Sequence, residues 1–384
     1  MKIVQICPYD INRAGGVQRH ILALAVTLRA RCHDVLVVAP GTAGREAAGV
    51  FNLGRQREIG LSGTRFELTW ASERELRKLQ EHLSVWKPDL LHFHTLWTPL
   101  MPFQLFRRWH GPVVATFHDT PPPGIAGGAL RLLFKGLSRW ILGRIDGAIA
   151  VSPAPLAHLR PSARGVPPVI IPPAVDLTVM RAEESKRRAD GSVRYLFVGR
   201  LEHRKGVREL LRAWELAQLE ARAAAPRMIL TIAGRGELSG AVLDAQRRLG
   251  PARLEFVESP DDATVRQLYG AADVFVAPSP FGESFGIVLV EAMANALPVI
   301  AAANVGYASV LVGPGEAGLV PPGDVRALAD KMLRFALHDD LRKGLAAWGP
   351  QEAARYDIRT VVAKIEALYD RVLTEVGSDR APIS

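Results

Sequence analysis

Short apolar runs rich in β-branched residues recur along the chain with helical stretches between them, and this alternation restricts the fold more than any other feature. KIVQIC (2–7), DVLVVAP (34–40), DLLHFH (89–94), PVVATFH (112–118) and GAIAVS (147–152) read as strands. VQRHILALAVTLRA (17–30) and ERELRKLQEHLSVW (73–86) carry apolar residues at helical spacing. Strands that are apolar on both faces need cover on both, and helices between successive strands supply it, so the pattern predicts a doubly wound parallel sheet. GVPPVIIPPAVD (165–176) then breaks the pattern with four prolines, which lack the amide hydrogen a helix needs, and marks a connector. The alternation restarts with VRYLFVG (193–199), VRELLRAWELAQLEARA (207–223), RMILTIAG (227–234), RLEFVE (253–258), VFVAPS (274–279) and PVIAA (298–302). A length of 384 residues exceeds what one core usually organises. The expectation is an α/β protein of two Rossmann-like domains, 1–170 and 171–355, facing a central cleft, followed by a last helix and frayed tail over 356–384.

Composition narrows the partners. The balance of 48 Lys+Arg against 39 Asp+Glu, a formal charge of +9, favours contact with something anionic: nucleic acid, anionic lipid or a phosphorylated substrate. No nucleic-acid module or clustered basic-aromatic face accompanies it, so nucleic acid is not the expected partner. The two cysteines, Cys7 and Cys32, are too few for a disulfide framework and favour a reduced cytosolic compartment. MKIVQICPYD is interrupted too early by Pro8 and Asp10 for a secretory signal, and no run of 18 apolar residues occurs, so membrane contact is expected to be peripheral. Nothing in the sequence fixes an oligomeric state.

The stretch GESFGIVLVEAMANALPV (282–299) sets Glu283 and Glu291 around an apolar run with no other charge. With helix from Gly286 onward, eight residues separate the two carboxylates by roughly 12 Å along the axis. Glycosidase carboxylate pairs stand about 5 to 9.5 Å apart, so these two are not expected to flank one scissile bond. An elongated ligand fits better, with hydroxyls at each end and a polar or phosphate group against the free amides of Phe285, Gly286 and Ile287. A sugar nucleotide has that layout.

Three further stretches fit the same ligand. In FVGRLEHRKGVRELL (197–211), Arg200 and Lys205 follow a strand's carboxyl end, where two cations can neutralise a diphosphate; a plain solvated loop is the alternative. In GGVQRH (15–20), Gly15 and Gly16 allow close backbone approach at a helix start, although paired glycines also suit any tight turn. In ATFHDT (115–120), His118 can hydrogen-bond sugar hydroxyls or polarise a leaving group, and Asp119 can orient it or contact an acceptor. His92 and His94 of DLLHFH alternate with apolar residues and read as packed or rim groups. The chain holds no D-x-D, Walker lysine loop, H-E-x-x-H or zinc spacing, so no metal and no cofactor is expected.

Taken together, Glu283-x7-Glu291 with SFGIVLVEAM, Gly199-Arg200-x4-Lys205, the GGVQ loop and the TFH strand end resemble the retaining glycosyltransferases of family 4, which have the GT-B fold. The motifs CPY, GGVQ-x-H, VATFH and GESFGIVLVEAMA are most similar to those of phosphatidylinositol α-mannosyltransferases. The resemblance implies that Gly15 and Gly16 approach the donor diphosphate and Arg200 and Lys205 neutralise it. It implies too that Glu283 holds the transferred sugar, Glu291 the donor ribose, and His118 sits beside the sugar ring. Tyr9, Asp10 and Asp119 fall to the acceptor side, and the last helix is expected to cross back to the first domain. The implied substrates are a nucleotide diphosphate sugar, preferably GDP-mannose, and a lipid-linked or glycan acceptor at the inner membrane face; the alternatives are a UDP-sugar-dependent enzyme acting on a soluble or polysaccharide acceptor and, after it, a sugar-nucleotide epimerase or hydrolase on a similar two-domain frame.

Departures from the family pattern are IPPAVD (171–176) for IPNGVD, Ala296 for a glycine, and ANVGYASVL (303–311) without a second glycine and following glutamate. The first two are expected to lie away from the chemistry. Two segments suit an anionic surface: a modest patch of Arg74, Arg77 and Lys78, and RLLFKGLSRWILGR (131–144), for which a domain-surface helix with its apolar side in the core is an equal alternative. The latter sets Arg131, Lys135 and Arg139 on one stripe near Phe134, Leu137, Trp140 and Ile141.

Overall fold

A computed structural model describes residues 1–12, 15–41, 49–61, 64–96, 101–119, 132, 136–159, 165–180, 190–221 and 226–379. The chain divides into unit 1, Met1–Ala174 with Ile358–Ser384, and unit 2, Val175–Asp357.

Unit 1 holds strands β1 (Lys2–Ile6), β2 (Asp34–Ala39), β3 (Val50–Asn52), β4 (Arg55–Leu61), β5 (Thr64–Trp70), β6 (Leu90–His94), β7 (Val113–Phe117), β8 (Gly147–Ala150) and β9 (Val169–Ile170). Seven of them form one parallel sheet in the order β3-β2-β1-β6-β7-β8-β9, while β4 and β5 pair as a separate antiparallel hairpin. β3, the hairpin and β9 are not among the strands the sequence predicts. β9 lies inside the proline-rich connector, where it takes an edge position that a proline-flanked segment can occupy.

The helices of unit 1 are α1 (Gly16–Ala30), α2 (Glu73–Trp86), α3 (Met101–Phe106), α4 (136–142), α5 (Pro153–Leu156) and, from the end of the chain, α14 (Ile358–Asp379). A Ser72–Glu75 capping box starts α2, and Leu76, Leu79 and Leu83 turn one side of it to the core. The strands β6, β7 and β8 are buried along their whole length, as sheets covered on both faces must be. The alternation along them sorts two cores. Val4, Ile6, Leu91, Phe93, Ala115 and Phe117 belong to one, and Ile3, Leu90 and Val114 to the other, with α1 and α14.

Unit 2 adds β10 (Val193–Val198), β11 (Met228–Gly234), β12 (Leu254–Glu258), β13 (Val274–Ala277), β14 (Val299–Ala302) and β15 (Leu319–Val320), all parallel in the order β12-β11-β10-β13-β14-β15. Its helices are α6 (Leu177–Met180), α7 (Val207–Glu220), α8 (Ser239–Leu249), α9 (Asp262–Ala271), α10 (Ile287–Ala294), α11 (Val305–Ala308), α12 (Val325–Leu337) and α13 (Asp339–Ala353). In each sheet the winding reverses once, between β1 and β6 and between β10 and β13. Ligands of doubly wound sheets sit beyond the strand ends at that reversal.

Candidate active site

In unit 2 the loops that leave β10 and β13, the strands flanking the reversal, bring opposite charges together. The chain after β10 makes a 3₁₀ turn over His203–Lys205 and enters α7. Lys205 Nζ donates to Glu283 Oε1 at 2.7 Å, Arg204 Nη1 to the same oxygen at 3.3 Å and to the Gly282 carbonyl at 2.7 Å. The Ser279 hydroxyl lies 3.1 Å from the Tyr307 hydroxyl. Burial pushes the Glu283 carboxyl up, but the charges of Lys205 and Arg204 outweigh it and hold it below the usual carboxylate range. Burial lowers the Lys205 ammonium, with Glu283 opposing. The phenol of Tyr307 is raised by burial and further by the charge of Glu283. Two cations against one anion leave this cluster with a net positive charge.

Packing fixes the cluster in two places. Gly286, the residue before α10, adopts φ 104° in the left-handed region, and a Cβ there would meet the Tyr307 ring at 2.6 Å. Gly306 lies so close to the Glu283 backbone that a Cβ would stand 2.8 Å from the carbonyl carbons of Glu283 and Ser284.

The remaining donor-side residues are distributed around this cluster. Helix α10 begins at Ile287, one residue later than expected, because Gly286 is its left-handed cap. Phe285 is buried with its ring against Tyr356, centroids 5.2 Å apart. Glu291 is buried too, and its Oε2 accepts from the Tyr269 hydroxyl of α9 at 3.1 Å. Arg200 is 59% exposed and pairs with Glu202 at 2.9 Å, whereas Lys205 is 19% exposed, so the two expected diphosphate cations occupy different settings. Arg204, Ser279 and Tyr307 escaped the sequence reading. Arg204 sits within the quoted R-x4-K motif, and only the fold shows that it reaches Glu283.

In unit 1 the alternation along the strands gathers polar groups on one face. Gln5 of β1, His92 and His94 of β6 and Thr116 of β7 share the face of Ile3, Leu90 and Val114, with Gln5 beside His92 and His94 beside Thr116 in register. Helix α1 contributes His20, α14 contributes Tyr369, and His118 follows β7; all these side chains are buried. His92 and His94 therefore are packed, as expected, but they are also hydrogen-bonded through to His118: His94 Nδ1 lies 3.0 Å from His118 Nε2 and His94 Nε2 2.7 Å from Gln5 Oε1. His92 is 2.6 Å from the Tyr369 hydroxyl and 2.7 Å from Thr116 Oγ1. Burial pushes all four imidazoles below their ordinary value, His20 to about 4 and His92 to about 3.

His20, His94 and His118 bring ligand atoms within 4.8 Å of one another, a spacing a metal ion would accept. Their hydrogen bonds oppose it. His20 Nδ1 accepts the Ala174 amide at 3.0 Å, so its proton must sit on Nε2, and His94 and His118 are bonded to each other. Ala174 of the IPPAVD connector thus fixes the tautomer of His20.

Gly15 caps α1 in extended backbone and Gly16 is its first residue. Tyr9 Oη donates to Asp119 Oδ2 at 3.1 Å, joining the ends of β1 and β7, and Asp10 is buried and accepts the Asn12 amide at 3.0 Å. Of the suspected surface helix, Leu137 and Trp140 pack onto the core and Ile141 is part of it, so these apolar residues serve the fold. Arg131, Phe134 and Lys135 lie outside the described residues. Arg74, Arg77 and Lys78 are exposed on α2.

Two doubly wound parallel sheets in one chain, with a cationic cluster at the winding reversal of the second, define a glycosyltransferase of the GT-B fold. The chain belongs to the family 4 glycosyltransferases: the model described as Glycosyltransferase Family 4 matches residues 14–179, and that of Glycosyl transferases group 1 matches 180–351. It is 35% identical to the phosphatidyl-myo-inositol mannosyltransferase of Mycobacterium tuberculosis over 97% of each chain, and 34% identical to that of Mycolicibacterium smegmatis over 97% of this chain and 94% of the relative. Among solved structures it superimposes on a sucrose-phosphate synthase from Thermosynechococcus elongatus with a TM-score of 0.75 at 23% identity, covering 97% of this chain and 99% of that one. The protein is a hexosyltransferase.

Proposed function

We propose that the protein is a retaining mannosyltransferase that moves mannose from GDP-mannose to a lipid-linked or glycan acceptor, an inositol phospholipid above all, at the cytoplasmic membrane face. The observation that carries the reading is the Lys205–Arg204–Glu283 cluster at the start of α10. A buried carboxylate can take hydrogen bonds from sugar hydroxyls, and the surplus cationic charge beside it suits a diphosphate. The relatives named as phosphatidyl-myo-inositol mannosyltransferases support the choice of sugar and acceptor.

In this reading the bond between sugar C1 and the diphosphate oxygen breaks, and an acceptor hydroxyl oxygen bonds to C1 on the same face. Its proton passes to the departing phosphate. Lys205, Arg204 and Arg200 stabilise the charge that grows on the leaving group, Glu283 holds the sugar, and Glu291 holds the ribose. The transfer is metal-independent, since cations of the chain take the place of a metal on the phosphates. The cations Arg74, Arg77 and Lys78, exposed on α2, suit an anionic surface.

The test is a donor screen: GDP-mannose, UDP-glucose, UDP-N-acetylglucosamine and UDP-galactose, each with and without phosphatidylinositol vesicles and chelator, followed by nucleotide release. GDP release that rises with the vesicles and survives chelation is expected. Turnover of a UDP-sugar instead, indifference to the lipid, or loss with chelator each overturns the corresponding part of the reading.

A further inference from the structure

The loop that carries Glu283 is gripped along its length by the short helix α11 and the residue before it, Asn304. Both belong to ANVGYASVL (303–311), the stretch in which this chain departs from the family pattern. Asn304 Oδ1 accepts the Tyr307 amide at 2.9 Å, which caps the turn, and Asn304 Nδ2 donates to the Ser279 carbonyl at 2.9 Å. The Tyr307 hydroxyl stands 3.1 Å from Ser279 Oγ, so the backbone and the side chain of Ser279 are both held from this segment. Gly306 lies against the backbone of Glu283 and Ser284, and the Tyr307 ring lies against Gly286. The beginning, middle and end of 279–286 are therefore met in turn. Val310 and Leu311, fully buried, anchor the segment that does so. All of these contacts lie inside unit 2, and none depends on which hydroxyl of the Tyr307–Ser279 pair gives the proton: either arrangement ties the phenol to the loop.

The second hold on the loop comes from the turn after β10, where Lys205 and Arg204 reach Glu283 Oε1 and Arg204 also reaches the Gly282 carbonyl. Those two cations are the groups that a diphosphate engages in the reading above. A carboxylate fixed by them alone would shift when a ligand draws on them, and a small misplacement of a binding group is costly in rate. The grip from α11 involves no charge that a phosphate can compete for. Tyr307 is 1% exposed, so it does not meet the sugar and acts only through its neighbours.

We propose that Tyr307 is a positioning residue of the donor site: with its hydroxyl on Ser279 and its ring on Gly286, it keeps Glu283 in place for the hydroxyls of the transferred sugar while the diphosphate engages Lys205 and Arg204. The inference rests on the reading of Glu283 as the contact to that sugar. It gives the departing segment a task in the reaction.

Tyr307→Phe keeps the ring on Gly286 and removes the hydroxyl alone. With the sugar nucleotide that releases its nucleotide in the donor screen, GDP-mannose being expected, kcat falls about tenfold while the Kd of GDP, which the cations set, stays within about twofold. A double-mutant cycle with Glu283→Ala then separates positioning from general loosening. With no carboxylate left to position, adding Tyr307→Phe to Glu283→Ala is expected to cost less than about a further twofold. An equal loss in both backgrounds overturns the proposal, as does wild-type kcat in Tyr307→Phe alone. Ser279→Ala removes the partner of the phenol and repeats the cycle, with the same outcomes, should Tyr307→Phe not fold. Failure of the underlying reading looks different: Glu283→Ala turning over at the wild-type rate removes Glu283 from the sugar site, whereas a slow Glu283→Ala with an additive Tyr307→Phe removes Tyr307 alone.

Discussion

The four buried imidazoles make unit 1 sensitive to mild acid in a way that can be calculated. His20, His92, His94 and His118 are held neutral by burial, at about 4 and about 3 for the first two and well below 6.5 for the others. At pH 5.5 His20 and His92 therefore remain uncharged in the folded protein but bind a proton on unfolding, so the unfolded state binds more protons and stability must fall with pH; His94 and His118 are shifted in the same direction. From pH 7.5 to 5.5 an unfolded imidazole with its ordinary value gains about 1.4 kcal/mol from protonation, and two of them about 3 kcal/mol. That is a sizeable share of the whole stability of a typical domain. The carboxylates held below their ordinary value, among them Glu75 and Glu366 in unit 1 and Glu283 in unit 2, lose their contribution only as pH falls through and below the ordinary carboxylate range, outside this window. Urea unfolding followed by hydrogen exchange and mass spectrometry separates the units: peptides from β1, β6 and β7 report on unit 1, those from β10, β11 and β13 on unit 2. The two histidines of unit 2, His203 and His338, are exposed, so unit 2 serves as the internal reference. A loss in unit 1 of less than about 1.5 kcal/mol, the effect of one such group, would refute the assignment of a neutral, desolvated cluster.

Three substitutions test the second unit. Glu283→Gln keeps the shape but removes the charge that accepts from Lys205 and Arg204; kcat is expected to drop about 10²-fold with nucleotide affinity nearly unchanged, and equal turnover would remove Glu283 from the chemistry. Gly306→Ala should destabilise unit 2 by about 1–3 kcal/mol in urea titrations, since backbone atoms cannot yield to the new methyl; a gain in stability would contradict the close approach. Ala296 adopts φ 53° in the position where the family commonly has glycine. Ala296→Gly should raise unit 2's stability by up to about 1 kcal/mol, and a loss would mean that the left-handed conformation costs nothing there.

The alternation of strand and helix was legible because it is local: KIVQIC, PVVATFH and VRYLFVG each carry their own period, and each is a strand. The β4–β5 hairpin was not, since RQREIGL and TRFELTW are polar and mixed, without the apolar run that marks a buried strand. Glu283 and Lys205 could be suspected from their motifs, but their 2.7 Å ion pair depends on two strands, β10 and β13, that are neighbours in the sheet and 75 residues apart in sequence. Gln5 and Tyr369 gave no signal at all. A glutamine in an apolar strand and a tyrosine at a helical core position look like ordinary packing until register and topology place them in hydrogen-bonding reach across 364 positions.

The discontinuity of unit 1 has a consequence for how the polypeptide is born. Helix α14, which supplies Val361, Val362, Ile365 and Tyr369 to the core beneath β1, is synthesised after the whole of unit 2. A nascent chain therefore exposes its N-terminal sheet, with Gln5 and His92 lacking their Tyr369 partner, for as long as translation of some 180 further residues takes. At about 5–20 residues per second that interval is on the order of ten to forty seconds. Unit 2, continuous in sequence, is complete one residue before α14 begins, so its head start is the time taken to make the 22 residues of that helix, about one to four seconds, and a unit 2 that folds within it is the first finished domain.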